Sequence, residues 1–267
     1  MTNNFDAEAA KKIINTDNPN VTVPNPIKEL FKIISGIILG ICCIYLITFF
    51  LSGILLQSLS SDKQADIENF ISPKLKLVLV EITEKEQNRL NNIRDEIIKT
   101  DSTFTRTSNL EVRVIKHRQL NAICYPNGNI YITSALYNKL KNDEQLTFVI
   151  AHEIAHYKHK DHLLNLRRQI SNNAVLIFLS VLSPNNRELH KITNDSLKIT
   201  DLKYSRNLEA KADKYAVKIM NQLYGNSKEA LFVMELLRAK NKHDFEFMSS
   251  HPNINKRMDY IRKFSYQ

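Results

Sequence analysis

Asn142-Asp143-Glu144-Gln145-Leu146-Thr147-Phe148-Val149-Ile150-Ala151-His152-Glu153-Ile154-Ala155-His156-Tyr157-Lys158 is the stretch on which the reading of this chain turns. Asn142 is a good helix cap, Asp143 and Glu144 fall in the first turn, and Gln145 stands three residues after the cap. Leu146, Val149, Ile150, Ile154 and Tyr157 recur at helical spacing and make one apolar stripe. A helix is therefore expected over about residues 143–160. On it His152 and His156 lie one turn and about 40° apart, so both imidazoles can reach one metal ion. Glu153 projects near the middle of the apolar stripe, where a surface glutamate has no reason to be. A buried carboxylate needs a partner, and a metal-bound water is one. Neutral imidazole suits Zn²⁺, which then needs a third protein ligand and, for catalysis, an open position. The competing reading is a chance spacing with solvated histidines, and the position of Glu153 weighs against it.

Working outward, Glu209 and Asp213 stand four apart beside an apolar face of Leu208, Ala212, Tyr215, Ala216, Ile219 and Leu223. Alone, such an acidic pair is usually a solvated helix face. Here a third ligand is missing. Glu209 could complete a two-histidine, one-glutamate site for one Zn²⁺ per chain, and Asp213 could orient a ligand imidazole from behind. His159 would lie about 10 Å along the helix from His152, too far to share its ion, so His159 and His162 read as surface or supporting residues. His251 precedes Pro252, with Arg257 beyond. Either His251 shapes a turn or it donates a hydrogen bond into the site.

The rest of the chain supplies the setting. Residues 33–56 carry no charge. As a helix they span roughly 36 Å, against about 30 Å of hydrocarbon. The run is too long for the core of a cleaved signal peptide, and no small-residue cleavage pattern follows. It reads as a single-pass transmembrane anchor over 33–59, after a flexible tail 1–32 with a short helix near 5–14. A linker 60–74 and a catalytic domain 75–267 follow. Lys11, Lys12, Lys28 and Lys32 precede the span, and Lys63, Lys74 and Lys76 follow it. The positive-inside rule then leans towards a catalytic domain on the outer face, the periplasm in a Gram-negative bacterium. Gly36 and Gly40 have the spacing that lets two such helices approach, which leaves a homo-oligomer open, although glycine is common in these helices anyway.

Residues 110–115 alternate as a half-buried strand does. Residues 120–125 and 130–133 flank Pro126-Asn127-Gly128-Asn129, a hairpin signal. Residues 75–82 read as a strand or extended linker. Further helices are expected at about 83–98, 163–181, 202–224, 227–240 and 253–264, while the apolar patch 174–182 is too short to cross a bilayer. The fold class is α+β, mostly α, with a small β-sheet. The 267 residues include 43% hydrophobic and 24% charged side chains, which excludes a disordered chain, and three cysteines exclude a disulfide scaffold. The net charge of +9 comes without a basic stripe interleaved with aromatics, so no nucleic-acid partner is expected.

Taken together, His152 to His156, Tyr204-Ser205-Arg206 leading into Glu209 and Asp213, and the late Ser250-His251-Pro252 resemble the zinc metallopeptidases of family 48, the gluzincins that include HtpX and the CAAX prenyl proteases. Asn121-Ala122 through Pro126, Gly128 and Tyr131 resemble the strand that precedes the zinc helix in that family. The resemblance covers about residues 75–264. It implies a zincin-like endopeptidase domain with Glu209 as third zinc ligand. It also implies His251 as a donor to the oxyanion, and Asn121, Ala122 and Ile123 on an edge strand that binds the protein or peptide substrate. Glu153 would take the proton of the attacking water. HtpX-type members carry further membrane spans between the two motifs, and this chain has only the 174–182 patch there. The expected function is a membrane-anchored zinc endopeptidase acting on unfolded or flexible segments in protein quality control. The alternative is an inactive, membrane-tethered binding module. The presence of His152, Glu153, His156 and Glu209 together argues against it.

Overall fold

The computed structural model describes residues 25–71, 78–104, 110–184, 186–240, 251 and 254–264. The expected tail helix near 5–14 lies outside them, as do residues 72–77. The chain opens with α1 (Pro26–Ser58), which begins before the apolar run because Asn25 caps it and Pro26 fits its first turn. It is long and apolar enough to cross a membrane. Within the stretch read as a linker, residues 60–74, α2 (Ser61–Ile71) forms. The physical reason is local: Gln64 Nε2 donates to the carbonyls of Leu56 (2.8 Å) and Leu59 (3.1 Å), so the turn ties the two helices together.

The chain continues with α3 (Glu84–Thr100), whose Thr83 and Glu86 form a reciprocal cap. Strand β1 (Glu111–Ile115) is parallel to β3 (Asn129–Thr133), and β2 (Ala122–Cys124) pairs antiparallel with β3, giving the order β1-β3-β2. The β2–β3 turn closes through Gly128 at φ 88, the left-handed conformation glycine tolerates. A short α4 (Ser134–Tyr137) leads to α5 (Asp143–Lys158), which carries His152 and His156. Residues 145–155 of α5 are all buried, so the helix runs through the core, between α3, β3, α7 and α8 rather than across the surface.

The chain then reverses into α6 (Asp161–Leu182) and α7 (Arg187–Tyr224), followed by α8 (Lys228–Lys240) and α9 (Ile254–Phe264). Helix α7 starts 15 residues before the expected 202. Its first half is dominated by charged and polar residues, so apolar periodicity could not announce it. It ends at Gly225, φ 72, a left-handed C-terminal glycine. The core joins Leu90, Ile93 and Ile97 of α3, Val112, Ile130 and Ile132 of the sheet, Ile150 and Ile154 of α5, Ala216 and Met220 of α7, and Met258 and Ile261 of α9. Each large aliphatic side chain buried this way contributes about 1.5–3 kcal/mol. A separate apolar cluster joins Leu56 of α1 to Leu163 and Leu166 of α6.

Candidate metal centre

Three helices and one turn converge on the middle of α5. His152 and His156, one turn apart, present Nε2 atoms 3.1 Å from each other. Glu209 on α7 lies opposite, with Oε2 3.4 Å from His152 Nε2 and Oε1 3.3 Å from His156 Nε2. Tetrahedral bonds of about 2.0–2.1 Å place neighbouring ligand atoms roughly 3.3 Å apart, which is the spacing these three groups have. The outer nitrogens are also engaged. His152 Nδ1 is 3.1 Å from Asp213 Oδ1, and His156 Nδ1 is 2.8 Å from Asp161 Oδ2. His156 Nδ1 hydrogen-bonds Asp161, while His152 Nδ1 faces the Asp213 carboxylate without a formed hydrogen bond; with the ring hydrogens on the Nδ1 side, both Nε2 lone pairs point at one another and at a carboxylate. That arrangement is repulsive unless a proton or a cation stands between them, so the donor set fits a divalent metal.

His251, just before α9, brings Nδ1 to 3.0 Å from Glu209 Oε2 and Nε2 to 3.8 Å from Glu153 Oε1. The ligand atoms of His152, His156, Glu209 and His251 all lie within 4.8 Å of one another. Arg257 on α9 completes the cluster: Nε and Nη2 each donate to Asp213 at 2.7 Å, and Nη1 is 2.8 Å from Glu209 Oε2. His152, Glu153, Glu209, Asp213, His251 and Arg257 are all buried.

The electrostatics follow from this packing. Burial works to raise Glu209, but His251, Arg257 and the two imidazoles hold it well below the usual carboxylate range. Burial likewise opposes charge on Asp213, and Arg257 overrides it downward. Burial disfavours a charged His156, yet its hydrogen bond to Asp161 and its contact with Glu209 push it up to about 10. Carboxylates that stay ionised here and favour positive charge on the neighbouring imidazole are equally suited to a metal cation.

The structure brings together His152, Glu153, His156, Glu209, Asp213 and His251, all named by the sequence. It redistributes the edge strand. Thr133 N donates to Asn121 O and Tyr125 N to Asn129 O, so in the alternating antiparallel ladder Asn121, Ile123 and Tyr125 turn their backbone groups towards β3. The outward-facing N–H and C=O groups are those of Ala122 and Cys124. Of the three residues expected on the substrate strand, Ala122 turns its backbone groups outward and Asn121 and Ile123 turn theirs towards β3. Asn121 is buried, while the Ile123 side chain packs on Ala65 of α2 and also lines the cavity shared with Cys124, Glu153, His156, Glu209 and His251. Sequence reasoning missed Asp161 and gave Arg257 no role. No spacing rule relates either residue to the ligands they touch.

A family model described as Peptidase family M48 matches residues 84–265. The chain is similar to the mitochondrial metalloendopeptidase OMA1 of Schizosaccharomyces pombe, 26% identical over 161 residues, 58% of this chain and 46% of that protein. It is 26% identical over 152 residues to the protein of the same name in Saccharomyces cerevisiae, 54% of this chain and 43% of that one. With metalloendopeptidase OMA1, mitochondrial, of Bos taurus it shares 22% identity over 163 residues, 56% of this chain and 31% of that one. The aligned part thus spans less than half the length of each of these relatives.

Proposed function

The chain belongs to peptidase family M48, and from that premise we propose that it is a membrane-anchored zinc metalloendopeptidase that cuts unfolded or flexible protein segments in protein quality control. The observation that carries the reading is the facing pair of Nε2 atoms at 3.1 Å, closed by Glu209 at 3.3–3.4 Å, with Glu153 in the same cavity. His152, His156 and Glu209 would hold one Zn²⁺. When bound, zinc supplies a Lewis acid that polarises the scissile carbonyl and acidifies water. Glu153 takes the proton of the attacking water and returns it to the leaving amine. Its burial beside His251 keeps it at the reacting centre and out of bulk solvent. His251, with Nδ1 on Glu209, directs Nε2 towards Glu153, and from there it would donate to the oxyanion when both ring nitrogens carry a proton. Asp213, fixed by Arg257, steadies His152.

An extended substrate adds to the outer edge of β2 through the backbone groups of Ala122 and Cys124. This mode reads backbone more than side chains, which supports loose selectivity for unfolded segments. Helix α1 supplies a single-pass anchor, and the charge count around it is the support for a catalytic domain on the outer face, periplasmic in a Gram-negative cell. Protein purified in detergent micelles should cleave an unfolded model protein, stop when a chelator removes the metal, and resume with added Zn²⁺. Cleavage that survives chelation, with metal content shown to be zero, would refute the zinc reading. A reporter fused after Gln267 that is active only in the cytoplasm would refute the orientation.

A further inference from the structure

We propose that Asp161, held by the turn at Lys160, is the positioning residue that fixes His156 as a metal ligand. Among the described residues Lys160 alone combines a side chain with positive φ, at φ 54 and ψ 37. L-residues adopt this left-handed conformation at a cost, so it persists where the surroundings impose it. Here it breaks α5 from α6 in a single step and turns Asp161 back onto the helix it has just left. Asp161 is 2% exposed, and its Oδ2 lies 2.8 Å from His156 Nδ1. An acceptor at that distance keeps the imidazole hydrogen on Nδ1 and the lone pair on Nε2, the atom that faces His152 and Glu209.

The two ligand histidines are supported unequally. Asp213 serves His152 but also accepts two hydrogen bonds from Arg257. Among the described residues Asp161 accepts no such bonds from a cation: its second oxygen, Oδ1, is buried without a hydrogen-bond partner there. Among the described residues its acceptor strength is therefore directed to His156. A purely structural role is the competing explanation, since an acidic residue in the first turn of α6 also complements the helix dipole. That role would show in the stability of the metal-stripped protein and would leave metal affinity unchanged.

The inference rests on His152, His156 and Glu209 being the zinc ligands, and one experiment separates the two claims. Full-length protein in micelles is stripped of metal and titrated with Zn²⁺ against a chromophoric chelator, and the melting of the stripped form is recorded. Asp161→Ala should weaken zinc binding by about 10–100-fold, the usual effect of removing a partner of a ligand histidine. Asp161→Asn, which keeps an acceptor, should fall between Asp161→Ala and wild type. It also provides the readout if Asp161→Ala does not fold. The stripped Asp161→Asn protein should melt close to wild type. Wild-type zinc affinity in Asp161→Asn, or in a folded Asp161→Ala, would overturn the positioning role. Wild-type affinity in His156→Ala would instead overturn the ligand assignment beneath it.

Discussion

The candidate metal site and the N-terminal helix α1 with its partner α6 are both built from helices, yet they are held together by opposite means. Around His152 the contacts are between charged or polar groups taken out of water: Glu209 and Asp213 of α7, His251 three residues before α9, and Arg257 of α9. Each is oriented by at least one other, so removing one strands a buried charge. Where α1 meets α6, the contacts are Leu56 with Leu163 and Leu166, plus Arg167 laid over Phe49 at 4.0 Å with Nε donating to the Phe49 carbonyl at 3.1 Å. Apolar surfaces accept many side chains of similar volume, whereas a hydrogen-bonded ionic cluster accepts almost none. The first region therefore specifies a geometry, and the second an attachment.

The largest break in that comparison comes from the ligands. His152→Ala and Glu209→Ala should lose metal affinity by more than the 10–100-fold typical of a residue behind the ligands. Turnover should fall below detection, checked by bound-zinc measurement and a proteolysis assay. A variant that still holds one equivalent of zinc would contradict the assignment. Next, Arg257→Met should destabilise the protein by about 3–5 kcal/mol, because Asp213 and Glu209 remain buried without their cation. Chemical denaturation in micelles reads this, and a cost under about 1 kcal/mol would show that the cluster does not need its arginine.

A smaller effect is expected at Asp101, which accepts from Lys158 Nζ and, at 2.9 Å, from the Tyr215 hydroxyl, joining the end of α3 to α5 and α7. Burial works to raise its carboxyl, but the bonds from Lys158, Thr103 and Tyr215 bring it down to about 2. A depressed carboxylate stabilises the fold above its unfolded pKa of about 3.9 and loses that contribution as pH falls towards about 2. Asp101→Asn should cost roughly 1–2 kcal/mol at pH 7, with the gap to wild type closing between about pH 4 and pH 2. A gap that is constant with pH would mean that the charge is not what matters. The smallest effect belongs to α1. A Cβ at Gly53 would stand 2.6 Å from the Arg167 guanidinium carbon, the far end of a flexible side chain that can swing away. Gly53→Ala should shift stability by under about 1 kcal/mol and leave cleavage of a soluble peptide unchanged. Loss of cleavage would mean that the attachment also sets the site.

What the sequence made legible follows the same division. Apolar periodicity and the cap at Asn142 placed α5 to within two residues, and chemistry at fixed spacing singled out His152, Glu153, His156, Glu209 and Asp213. Asn127-Gly128 marked the hairpin. The misses are of another kind. Helix α2 depends on a contact from Gln64 to carbonyls outside its own helix, and the first half of α7 lacks an apolar stripe. Asp161 reaches His156 only because Lys160 takes a left-handed conformation, and Arg257 reaches Asp213 only through packing across 44 positions of sequence. Such tertiary contacts leave no local pattern to read.

The central claim is that Glu153 performs chemistry at a metal held by its neighbours and does not itself hold that metal. Zinc content and proteolysis of an unfolded model protein, measured side by side for wild type and Glu153→Gln, test it directly. About one Zn²⁺ per chain is expected in both proteins and cleavage only in the wild type, because the amide cannot accept the proton of water. Wild-type cleavage by Glu153→Gln would contradict it.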